Sequence, residues 1–210
     1  SNQAKSSTQQ SSATPNSTQR LMFFKRLQTL TNKIHATQAV DQIMLDLSQD
    51  ICDLFECDRM TIYVVAPDKT NLISKVKTGL TSFKDIRLPI SDQSIAGYVA
   101  LHQQVLCIKD VYDKAELQSH SPHLNFQKAI DERTGYRTKE MLGAPIVDAE
   151  SKQLLGVIQF INSRHGTAFT AVATEGVKEL CETLAIALAQ KNKPLNLPPS
   201  KFNFLVAEGI

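Results

Sequence analysis

The 210-residue chain carries a net charge of +2, with 42% apolar and 21% charged residues, enough apolar material for one substantial core. A balance so near neutral gives no reason to expect a nucleic-acid or membrane-surface partner, and no run approaches the roughly 18 apolar residues of a membrane span. The start lacks the apolar stretch of a secretory signal, so the expected compartment is the cytoplasm, where Cys52, Cys57, Cys107 and Cys181 read as free, structural thiols.

Residues 1–19 are nearly all Ser, Thr, Gln and Asn, with no aliphatic branch or aromatic ring. Such a segment cannot bury enough apolar surface to offset its ordering entropy, and it is expected to be a disordered polar linker. Helical spacing begins at Leu21, with Leu27, Leu30 and Ile34 on one face, and predicts a helix to Ala36. A second apolar stripe joins Val40, Ile43, Met44, Leu47, Ile51, Leu54 and Phe55, with Thr37 as a candidate cap.

Strand chemistry follows. RMTIYVVAP is rich in β-branched and aromatic residues and ends at a Pro-Asp turn; NLISKVKTG alternates. DIRLPI carries a proline and is expected at a sheet edge. SDQSIAGYVA reads as a short helix, and QVLCIKD as a further strand. Residues 110–136 give only a weak helical stretch around Leu124–Ile130. TKEMLGAPIVD and KQLLGVIQFIN, separated by AESK, predict an antiparallel hairpin. A last helix runs from Ala171 to Lys191.

The expected fold class is α+β. A mostly antiparallel central sheet carries amphipathic N- and C-terminal helices on one face. A short helix and a lid loop cover a pocket on the other, the natural place for a ligand.

Three strings, SIAGYVA, DERTGYRTKEMLGAPI and LLGVIQFIN, resemble a GAF domain, most closely those of cyclic-nucleotide phosphodiesterases and adenylyl cyclases. The resemblance spans about Leu21 to Lys191. It implies a regulatory module over 20–192, not an enzyme, that binds a small ligand such as cAMP or cGMP. It further implies a homodimer that signals through its terminal helices to a downstream output domain. Position by position it points to Thr61, Thr78, Ile95, Ala96, Tyr112, Phe126, Asp131, Thr134 and Thr138 as pocket or lid residues.

Two candidates stand on their own chemistry. Gly97 costs a helix roughly 1 kcal/mol relative to Ala. Either it bares backbone to a ligand at a helix N-terminus, or it permits close packing against the sheet. Gln159 shares an alternating face with Leu155, Val157 and Ile161. A carboxamide there needs a hydrogen-bond partner, and a pocket would supply one.

The resemblance breaks at INSRHGTAFTAVATE. The family carries a lysine, and later an Asp-Glu pair, and braces its lid with the lysine–aspartate ion pair; here Ser163, Ala173 and Thr174 stand instead. A ligand-free dimerisation or docking module is therefore the alternative. A third reading, a free methionine sulfoxide reductase, requires Cys107 to approach the pocket. Residues 193–210 are expected to form a Pro-rich linker and the start of a following domain. FNFLVAEGI resembles the N-terminal region of type II/type IV secretion and pilus-assembly ATPases.

Overall fold

A computed structural model describes residues 17–36, 46–77 and 86–191. The tail, Thr37 and Thr78 lie outside them. The chain order is α1 (Ser17–Ala36), α2 (Ser48–Phe55), β1 (Cys57–Val65), β2 (Asn71–Lys77), β3 (Arg87–Pro89), α3 (Ile95–His102), β4 (Leu106–Ile108), α4 (Lys114–His120), α5 (Ala129–Thr134), β5 (Met141–Val147), β6 (Leu154–Ser163) and α6 (Ala171–Lys191). The six strands form one sheet in the order β3-β2-β1-β6-β5-β4. Every neighbouring pair is antiparallel. The three-residue strands lie at the edges, and Pro89 closes one of them, where no central ladder needs its missing N–H.

Period-2 alternation divides the long strands between two cores. Met60 and Ile62 of β1, Leu142, Ala144 and Ile146 of β5, and Ile158 and Phe160 of β6 face the long helices. Those helices answer with Leu27, Leu30 and Ile34 of α1, Ile51, Leu54 and Phe55 of α2, and Val177, Leu180, Leu184 and Leu188 of α6. Each such side chain, fully buried, stabilises the fold by roughly 1.5–3 kcal/mol. Arg20 pairs with Glu175, and the Phe23 ring lies over Gly176, where an added Cβ would come within 2.5 Å of it. The two terminal helices thus start side by side and run in one direction along the core.

The opposite face holds a smaller core of Tyr63, Leu72, Met141 and Val157 beneath Ile95 and Val99 of α3, Leu117 of α4, and Leu124. Two local readings of the sequence are corrected here. Leu155 does not share the face of Val157 and Gln159. The register shifts between Ile146 and Val147, which pair with Gly156 and Leu154. Leu155 is the extra residue of that bulge and packs with the long helices. Of the segment expected to be helical at 124–130, residues 124–128 form a connection and helix begins only at Ala129. The Asp113 carboxylate caps α4 by accepting from the N–H groups of Ala115 and Glu116, and Gly135, at φ 70°, ends α5.

Candidate functional site

The site is built around the N-terminus of α3. Ser94 is its cap, its hydroxyl accepting from the Gly97 N–H at 3.0 Å. Asp92, two residues upstream, accepts from the Ser121 hydroxyl at 2.8 Å. A Cβ on Gly97 would stand 2.5 Å from the Ser91 carbonyl oxygen and 2.6 Å from that of Pro89. The glycine is therefore required by the protein's own backbone beside it.

Ile95 and Ala96, the first residues of α3, line a cavity of about 100 Å³ between helix, sheet and lid loop. Tyr63 and Gln159 reach it from the sheet, Leu88 from β3, Met141 from β5, and Asn125, Phe126 and Gln127 from the loop. Gln159 is 5% exposed and Tyr63 6%, and neither side chain has a hydrogen-bond partner among the described residues. Burial pushes the Tyr63 phenol up to about 12. Thr61 stands opposite Gln159 in the sheet register and is buried. The lining thus offers apolar walls, one phenol, the Ser94 hydroxyl and carboxamides. It includes no charged side chain among the described residues.

Beside the cavity the lid is braced by a polar cluster. Asp131 is buried, and its Oδ2 accepts from the Tyr112 hydroxyl at 2.7 Å and the Thr138 N–H at 2.8 Å. Its Oδ1 accepts from the Thr138 hydroxyl at 2.9 Å. The bond to Asp131 also raises the Tyr112 phenol's pKa. The Tyr112 ring meets Phe126 edge-on and lies 3.5 Å beneath the Arg137 guanidinium.

A second brace comes from Asn162, in the left-handed region at φ 58°. Its Oδ1 accepts from the Lys139 N–H at 2.7 Å. Its Nδ2 donates to the Tyr136 hydroxyl at 2.9 Å and the Arg137 carbonyl at 2.8 Å. The lid strap 136–139 is thus fastened to the end of β6 with Ser163 where the family carries lysine. Burial, then the Asp58 carboxylate, pushes Tyr136 up to about 12, and Arg59 stacks on its ring at 3.6 Å.

Of the residues singled out in the sequence, Ile95, Ala96, Phe126 and Gln159 meet in the cavity. Thr61 is adjacent in register, Gly97 one residue from the wall. Tyr112, Asp131 and Thr138 form the brace. Thr134 is exposed at the end of α5, where its hydroxyl accepts from the Tyr136 N–H at 3.3 Å. Tyr63, Ser94, Met141 and Asn162 were not singled out. The resemblance places Thr61, and alternation from it along one strand leads to Tyr63, two residues on.

Cys107 lies on the other side of the sheet. It packs with the long-helix core, its thiol donating to the Phe169 carbonyl at 3.8 Å. It lines an open groove of about 650 Å³ with Val105, Pro145, Lys178 and Cys181. Burial raises the Cys107 pKa, opposite to what a nucleophile needs. The expectation that this thiol approaches the pocket is overturned by the face on which β4 presents it. Among the described residues no three His, Cys, Asp or Glu side chains gather as a metal site, and no helix is long and apolar enough to cross a membrane.

A six-stranded antiparallel sheet with terminal helices on one face and a lidded cavity on the other defines a two-layered α+β module. The profile of the GAF domain family matches residues 39–188, and the chain belongs to that family. GAF domains are in general regulatory, small-molecule-binding modules. The chain is 28% identical over 163 residues to the dual 3',5'-cyclic-AMP and -GMP phosphodiesterase 11A of Takifugu rubripes, covering 72% of this chain but 16% of that enzyme. Among solved structures it resembles the GAF domain of an Acinetobacter phosphoenolpyruvate-protein phosphotransferase, with TM-score 0.67, 15% identity, and coverage of 84% of this chain and 98% of that one. It also resembles the free methionine-R-sulfoxide reductase of Neisseria meningitidis in complex with its substrate, with TM-score 0.64, 13% identity, and coverage of 88% and 96%. Likeness at that identity establishes the shared fold.

Proposed function

We propose that residues 20–192 form a cytoplasmic, non-enzymatic sensor module that binds a small molecule between α3 and the lid. Binding shifts the lid and the terminal helices between two states. In the longer chain to which such a module belongs, α1 and α6 pair with a second copy and pass the change to an output domain. The observation that carries this reading is Gln159. Its carboxamide is buried, lines the cavity and has no partner among the described residues. The carboxamide opens onto the cavity, where a ligand offering a complementary donor and acceptor can pair with it.

The phosphodiesterase similarity makes cAMP and cGMP the first ligands to test, followed by smaller heterocycles. Thermal-shift titration of the full chain tests the reading: a saturable rise in melting temperature that Gln159→Leu abolishes supports sensing. The second reading is a ligand-free pairing or docking module. It is favoured by a lid whose polar groups are satisfied by one another, and by Leu21, Met22 and Ile186, large apolar side chains left exposed on the terminal helices. A stable dimer by sedimentation, with no ligand response, would decide for it.

A further inference from the structure

Resting on the sensor reading, we infer that the cavity selects an uncharged, planar ligand of one small ring bearing an amide-like edge, rather than a whole cyclic nucleotide. Size argues first. Sites for drug-sized molecules measure ~300–1,000 Å³, whereas this cavity holds about 100 Å³. With a water's share of liquid volume near ~30 Å³, that is room for a six-membered ring and a substituent. A base joined to a ribose and a cyclic phosphate exceeds that space.

Polarity argues second. A carboxamide presents an acceptor and donors side by side. Gln159 therefore matches a lactam or primary amide, which offers the complementary pair, and the neighbouring Tyr63 hydroxyl can donate or accept as the ligand requires. Phe126 supplies a ring face at the mouth, and Ile95, Leu88 and Met141 supply apolar walls.

Charge argues third. The Ser94 hydroxyl already takes the Gly97 N–H at the α3 N-terminus. No charged side chain among the described residues lines the cavity. An ionised ligand group would be buried without a counter-charge, and that is strongly unfavourable.

The test is ligand-observed NMR titration of the full chain with two probe pairs. Nicotinamide and nicotinate match in size and differ in charge; uracil and cAMP differ in both size and charge. The expected result is that nicotinamide and uracil bind at least tenfold more tightly than nicotinate and cAMP. Gln159→Leu should weaken both uncharged probes at least tenfold. Phe126→Ala, at the partly exposed mouth, should weaken them severalfold, and it keeps the test sound should the buried variant misfold. Equal or tighter binding of nicotinate, or uncharged-probe binding that neither variant moves, overturns the inference. Binding of cAMP or cGMP that Gln159→Leu abolishes also overturns it while leaving small-molecule sensing intact. No binding of any probe overturns both.

Discussion

Replacing Gly97 by alanine sets two physical effects against each other, and the structure decides the sign. In an open helix the change should stabilise by roughly 1 kcal/mol, because Ala loses less backbone freedom than Gly. Here the new methyl would lie 2.5 Å from the Ser91 carbonyl oxygen, 2.6 Å from that of Pro89 and 2.8 Å from the Ser94 hydroxyl. Two of these neighbours are backbone, and Pro89 is held in the β2–β3 ladder opposite Asn71. Overpacking of this kind costs about 1–3 kcal/mol, and displacing the Ser94 hydroxyl from its cap costs about 1 more. Subtracting the propensity gain leaves a net loss of about 2 kcal/mol, or roughly 4–8 °C in melting temperature for a domain of this size. Urea unfolding and calorimetry of Gly97→Ala measure it directly. A variant as stable as the parent would refute the argument and return Gly97 to the role of bare backbone kept for a ligand.

Other outcomes follow from single contacts. Asn162→Ala removes three hydrogen bonds from the lid strap and leaves an alanine, which tolerates the left-handed region less well than asparagine; a loss of about 2–3 kcal/mol is expected, with faster amide exchange at 136–139. Unchanged exchange there would show that Asn162 does not fasten the strap. Tyr63 contributes stability that is complete below its unfolded pKa near ~10 and is lost as pH rises toward its folded value of about 12. Denaturation at pH 9 and pH 11.5 should therefore show a steeper alkaline decline in the parent than in Tyr63→Phe, with Tyr136 maintaining a smaller decline in both; parallel curves would contradict this. Glu140 is buried at 2% exposure, with Oε1 lacking a hydrogen bond and the Lys139 ammonium 3.8 Å away. Glu140→Gln should stabilise by about 1 kcal/mol, and a clear drop in melting temperature would mean that the weak contact with Lys139 matters more than the unsatisfied charge.

The long elements were legible because their burial is periodic. The α6 range Ala171–Lys191 coincides with the apolar stripe that predicts it, and the prolines and turns around β3 and the β5–β6 hairpin mark their ends. Short helices give no such stripe. Lys114–His120 spans barely two turns, and its one signal is the Asp113-x-x-Glu116 spacing of a capping box. The Glu116 side chain instead accepts from the N–H groups of Lys109 and Asp110. The bulge at Leu155 leaves no trace in composition, since any aliphatic residue suits either face. In the site, Gln159 was legible as a polar residue among aliphatic ones. Asn162 was not, because its role depends on a positive φ and on a strap brought to it from 25 residues away.

The shared direction of α1 and α6 has a mechanical consequence. Each is about 20 residues long, close to ~30 Å of rod, so a chain arriving along the first reaches one pole of the domain and departs along the second from the other. Under the proposed sensor reading, the domain would act as a coupling set in series in a shaft, able to hand on a slide or twist without doubling it back. Its bearing surface is the Phe23 ring on the bare backbone of Gly176, flanked by the Arg20–Glu175 pair.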